Sequence, residues 1–115
     1  MKKLNVGNYE IAARDVVAEG ADLQATVFTL DKGQSVPWHF HSEITDHFVC
    51  LEGQLVVETR APRQEFRLAP GERCAVGPKT AHHVHGHDYG PCQFLLIQGV
   101  GVYDYIAVGE PASNR

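Results

Sequence analysis

The chain has 115 residues, 43% of them apolar, and a formal charge of −4. That length holds one domain with one core, and the apolar content is that of a folded chain, not a disordered one. The acidic balance argues against a general nucleic-acid binder, and the longest strongly apolar run, Phe94-Leu95-Leu96-Ile97, is far below the ~20 residues that cross a bilayer as a helix.

The N-terminal MKKLNVGNYE starts with two lysines but lacks the apolar stretch of a leader peptide, so a cytoplasmic protein is expected. Residues 9–18 read as a strand or a helical turn. Leu23 to Leu30 (LQATVFTL) is rich in β-formers, and so are Phe48 to Leu51, Leu55 to Thr59 and Phe94 to Gln98. Turn chemistry separates them: Asp31-Lys32-Gly33, Glu52-Gly53, Ala61-Pro62, Ala69-Pro70-Gly71, Gly77-Pro78 and Tyr89-Gly90-Pro91. Tyr103 and Tyr105 are expected in a final strand as core or interface residues, and 110–115 as a loose tail. Many short strands between such turns predict an all-β sandwich or barrel. Arg60, Arg63 and Arg67 read as a solvated strand edge. Cys50, Cys74 and Cys92, odd in number and without a CxxC pair, read as reduced core residues.

The seven histidines all lie between positions 39 and 87, in two clusters. In the first, His39 and His41 are two apart on an extended segment and project from one face, where both imidazoles can reach one ion. Asp46 follows with a hard oxygen donor, Glu43 being a poorer candidate. Trp38 and Phe40 alternate with the histidines and face away, and His47 points opposite to Asp46. Phe48 and Cys50 share the Asp46 face, as pocket lining or as core. The second cluster is His82-His83-Val84-His85-Gly86-His87, where a strand sends His83, His85 and His87 to one face and His82 to the other. Spacing does not choose which of them completes a site with His39 and His41. His85 and His87 read as exposed residues, or as acid–base groups near a mouth.

Residues 33–53 resemble the first motif of the cupin superfamily, G-x5-H-x-H-x(3,4)-E-x6-G, with Gly33, His39, His41, Asp46 at the Glu position, and Gly53. Residues 71–86 resemble the second, G-x5-P-x-G-x2-H-x3-N, through Gly71 and His82. Gly77, Lys79 and Gly86 depart from its Pro, Gly and Asn. A one-residue slip would place Pro78 on the motif Pro and make His83 the ligand; the undisturbed count from Gly71 favours His82. Asp46 is one methylene shorter than Glu, so it ligates directly, or acts through water, or hydrogen-bonds a ligand histidine.

The resemblance implies a single cupin domain over 1–115, an all-β double-stranded β-helix or jelly-roll barrel. It implies one divalent metal ion (Fe, Mn, Ni, Co or Zn) held by His39, His41, Asp46 and His82, with open positions for a small molecule, and a homodimer. A metal-dependent enzyme on a small oxygen-bearing compound follows, a dioxygenase before an isomerase or decarboxylase, with no catalytic residue assigned. A non-catalytic small-ligand sensor is the alternative, and a metal-free sugar-binding barrel a third.

Overall fold

The computed structural model describes residues 9–109. Ten strands occur in them: β1 (Ala13–Glu19), β2 (Leu23–Leu30), β3 (Ser35–Phe40), β4 (Thr45–Glu52), β5 (Leu55–Thr59), β6 (Gln64–Leu68), β7 (Arg73–Val76), β8 (His82–Gly86), β9 (Cys92–Gly99) and β10 (Ile106–Ala107). They form two five-stranded antiparallel sheets, ordered β1-β2-β9-β4-β7 and β10-β3-β8-β5-β6. The architecture is a jelly-roll barrel. Among the described residues no helix is long and apolar enough to cross a membrane.

Strict alternation drives the packing. Along β2 every second residue is buried, and β9 buries Cys92, Phe94, Leu96 and Gln98 in the same rhythm. An alternating strand turns one face to the core, and the two inner faces meet there. Phe94 sits at the centre, 5.3 Å from the Phe28 ring and 5.8 Å from Phe48, with Leu30, Leu55 and Val57 closing around them. Burying each such phenylalanine contributes about 1.5–3 kcal/mol. Cys50 and Cys92 belong to this core; the cysteines are free thiols, and burial pushes Cys74 and Cys92 up to about 11.

Of residues 9–18, which read as a strand or a helical turn, 13–18 lie in β1 (Ala13–Glu19), an edge strand with little burial on either face. Its structure comes from pairing with β2, with a bulge between Val16 and Ala18. Tyr103 and Tyr105 do not lie in a final strand. They sit in an irregular segment before the two-residue β10, which pairs Ile106 with Phe40 and Ala107 with His39. The expected tail at 110–115 lies outside the described residues. Arg60 differs from the solvated arginines around it, stacking 4.4 Å over the Trp38 ring.

Two turns hold the motif-bearing strands. Gly53 has φ +75, and a Cβ there would meet the Pro91 carbonyl at 2.7 Å, so a side chain is excluded both by conformation and by space. Lys79 occupies the position where the second cupin motif has Gly, and it adopts φ 64. The backbone keeps the left-handed turn although the residue has changed, and the Lys79 N–H donates to the His41 carbonyl at 2.7 Å. An L-residue held there costs roughly 1–2 kcal/mol. Replacing Lys79 by Gly is therefore expected to raise unfolding free energy by about 1 kcal/mol, less the entropy that Gly returns to the unfolded chain. Urea denaturation checks this, and a lower midpoint for K79G would contradict the turn assignment.

Candidate metal centre

Two cross-strand pairs, one from each sheet, build the site. In the sheet of β3 and β8, His39 on β3 stands opposite His82 on β8. In the other sheet, Asp46 on β4 stands opposite Gln98 on β9. The β3–β8 register explains why His39 points inward. From Val36 to His39 strand β3 advances three residues while β8 advances two, from Val84 to His82. The extra residue is a bulge at Pro37-Trp38, where Pro has no N–H to lose from the ladder. The bulge shifts the inward parity, so Val36, His39 and His41 are all buried. His41 follows directly on the end of β3.

Each imidazole is anchored by its Nδ1. His39 Nδ1–H donates to the Pro37 carbonyl at 2.7 Å, and His82 Nδ1–H to the Thr80 carbonyl at 2.8 Å. His41 Nδ1–H donates to the carbonyl of Asp104, in the segment that crosses over the site. A carbonyl only accepts, so each Nδ1 carries the proton and each neutral ring presents a lone pair at Nε2. Those of His82 and His41 face the same Asp46 oxygen, Oδ2, at 2.9 and 3.1 Å. The other oxygen, Oδ1, accepts from Gln98 Nε2 at 3.1 Å. Lone pairs facing a carboxylate at these distances repel unless a proton or a metal cation lies between them.

The donor set fits a metal ion. All four residues are buried, and one ligand atom from each lies within 4.8 Å of the others. Ligands about 2.1 Å from one ion stand about 3.0 Å apart when adjacent in an octahedron and about 4.2 Å apart when opposite. The two short contacts match the adjacent separation. Three neutral imidazoles and one carboxylate suit a divalent first-row ion.

In the metal-free protein the same groups are coupled through charge. Burial, reinforced by the charge of His82, lowers His39 to about 3. Burial works against charge on His41 and Asp46 as well, but their mutual contact outweighs it, raising the His41 pKa and holding the Asp46 carboxyl far below the carboxylate range.

The family model for the cupin domain matches residues 26–98, which include every residue of the cluster. The chain belongs to the cupin family. Quercetin 2,3-dioxygenase of Bacillus subtilis (strain 168) is 32% identical over 82 residues, 70% of this chain. The cupin spans 23% of that relative's length. Among solved structures, a cupin superfamily protein of Desulfitobacterium hafniense DCB-2 superposes with a TM-score of 0.69 at 20% identity, covering 84% of each chain. A conserved protein with a double-stranded β-helix domain from Klebsiella pneumoniae subsp. pneumoniae MGH 78578 does so at 0.69 and 18%, covering 90% of each.

The cupin's other sequence candidates separate cleanly. His83 lies on the opposite face of β8 from His82. His47 is exposed, as is Glu43. Phe48 is core and also packs edge-on against His82, with centroids 6.1 Å apart. His85 is not exposed: it is buried under the Tyr89 ring, whereas His87 is exposed beside Arg67. Gly86, at the motif Asn position, leaves room for the carbonyl of Gly90, which any Cβ would overlap.

Sequence reasoning missed Gln98, Asp104 and the placement of two tyrosines. Tyr105 stacks on His39 with centroids 4.4 Å apart, and Tyr103 lies 5.4 Å from His41. Burial raises both phenols, so they stay protonated at neutral pH. Gln98 was readable in principle, as a polar residue in the inward register of Phe94 and Leu96.

A pH dependence follows for the metal-free protein. An unfolded His39 protonates near ~6.5, whereas the folded one resists until about 3. In that window the unfolded chain binds the extra proton, so stability falls as pH is lowered. His41 runs the other way, since its raised pKa contributes stability below the unfolded value. Asp46 contributes stability above the unfolded carboxylate value, lost as pH falls through its depressed folded pKa. His39→Gln is expected to flatten the decline of Tm between pH ~6.5 and ~4 relative to wild type; parallel curves would rule out His39 as its source.

Proposed function

We propose that this cupin is a mononuclear metalloenzyme acting on a small oxygen-bearing molecule such as a diketone, enol or phenol, with dioxygenation favoured over isomerisation or decarboxylation. The observation that carries it is the convergence of His39, His41 and His82 Nε2 with the Asp46 carboxylate in one buried cluster. The likeness to a quercetin dioxygenase supports the choice of reaction. In this reading the chain is a single domain that works as a cytoplasmic homodimer.

His39, His41 and His82 would hold the ion through Nε2, and Asp46 through Oδ2. The bound ion supplies Lewis acidity and, if redox-active, reactivity toward dioxygen. Pro37, Thr80 and Asp104 fix the three tautomers with their carbonyls, and Gln98 fixes the plane of the carboxylate. The neutral phenols of Tyr103 and Tyr105 offer hydrogen-bond donors to an oxygen-bearing ligand and exclude water from the histidines.

A second reading, a barrel that binds a small ligand without turnover, is favoured by the closure of the site. The four clustered side chains are each at most 3% exposed, with two tyrosines against them.

Oxygen consumption separates the two. Protein loaded in turn with Fe(II), Mn(II), Ni(II) and Co(II) is expected to consume dioxygen with at least one of a flavonol, a β-diketone and a catechol. His82→Ala should remove this uptake. Binding of these compounds without uptake under any loading would overturn the dioxygenase reading, and their recovery chemically unchanged would favour the second reading over any enzymatic one. Gln98→Leu is expected to weaken metal binding by about 10–100-fold while the fold persists, measured by competition with a chromophoric chelator; unchanged affinity would detach Gln98 from the site.

A further inference from the structure

Strand β8 brings ligand-type side chains together on its outer face as well. His83 and His85 are two residues apart and project opposite to His82. Glu58 stands directly across from His83 in the β5–β8 ladder. His83 Nδ1 is 2.9 Å from Glu58 Oε1, and His85 Nε2 is 3.6 Å from Glu58 Oε2. One ligand atom from each of the three lies within 4.8 Å of the others.

The tautomer of His85 repeats the logic of the inner cluster. Its Nδ1–H donates to the Gly86 carbonyl at 2.7 Å, so a neutral ring turns the Nε2 lone pair toward Glu58. A structural ion pair between His83 and Glu58 accounts for the 2.9 Å contact. The second imidazole adds a further donor at the same carboxylate, its Nε2 facing the other oxygen of Glu58 at 3.6 Å. That spacing leaves room for an ion between them.

Packing holds these groups in place. Trp38 stacks on His83 with centroids 5.4 Å apart, and Tyr89 lies nearly parallel on His85 at 4.2 Å. Rings already fixed by packing lose little rotamer freedom on binding an ion. The side chain of Glu58 is 31% exposed, against 12% for His83 and 9% for His85. Access is therefore from solvent along the carboxylate.

We propose that Glu58, His83 and His85 form a second divalent metal site, on the outer face of the barrel and separate from the inner cluster. Two imidazoles and one carboxylate suit a borderline ion of the Zn(II) or Ni(II) class, with water in its remaining positions.

The test counts zinc. Metal-free wild-type protein and the H83Q/H85Q variant are dialysed to equilibrium against excess Zn(II), and bound metal is measured by elemental analysis. The variant should carry one equivalent fewer per chain than wild type. The same count in both would overturn the outer site. His82→Ala reports on the inner cluster independently, so failure of one site is distinguishable from failure of the other. Should H83Q/H85Q lose its β-sheet circular dichroism, Glu58→Gln, an isosteric change at a partly exposed residue, provides the same comparison. In crystals soaked in Zn(II), anomalous scattering at the zinc edge should place a peak about 2.0–2.2 Å from His85 Nε2. Absence of that peak in fully folded protein would equally overturn the proposal.

Discussion

Inside this barrel a buried carboxylate is pressed against two imidazole nitrogens whose protons have been assigned elsewhere. Because His41 and His82 commit Nδ1–H to backbone carbonyls, their neutral rings offer Asp46 only lone pairs. A carboxylate taken out of water costs several kcal/mol unless a positive charge is supplied. Protons can supply it in the metal-free protein, and a divalent ion supplies it better, since one ion satisfies Asp46 and all three Nε2 atoms together. Much of the surrounding structure serves that contact. The bulge at Pro37-Trp38 sets the inward parity of β3, the turn at Lys79 secures the His41 carbonyl, and residues 101–105 bring the carbonyl of Asp104 onto His41.

How far the sequence could be read depended on whether the deciding geometry was local. His39 and His41 sit on one face because a strand repeats every two residues, and that much is visible in three letters. The choice between His82 and His83 depends on the ladder that pairs His39 with His82, which a single strand does not reveal. Gln98 follows from the alternation of β9 once Phe94 and Leu96 are taken as core. Asp104 could not have been found this way, because it acts through its main-chain carbonyl, 63 residues from the ring it holds. Residues 9–18 read as a strand or a helical turn for a related reason: the strand at 13–19 is exposed on both faces, so no hydrophobic period chooses between the two.

The same period of two gives β8 two chemistries. Its even positions, His82, Val84 and Gly86, close the barrel interior, and its odd positions, His83 and His85, meet Glu58 outside. The fold itself leaves function open, since barrels of this kind host many activities and the curated relative is more than four times as long as its match to this chain. What narrows the reading is the site: three tautomers set by the backbone, a carboxylate oriented by Gln98, and phenols kept neutral by burial.

The central claim concerns where the imidazole protons reside, and nitrogen NMR observes that directly. Two-bond nitrogen–proton correlation spectra of uniformly 15N-labelled protein should show neutral His39 with its proton on Nδ1 in the metal-free state. On titration with Zn(II), the Nε2 resonances of His39, His41 and His82 should all shift to coordinated positions while their Nδ1 signals stay protonated. An Nε2–H tautomer at any of the three in the loaded protein, or Nε2 resonances unmoved by metal, would contradict the account.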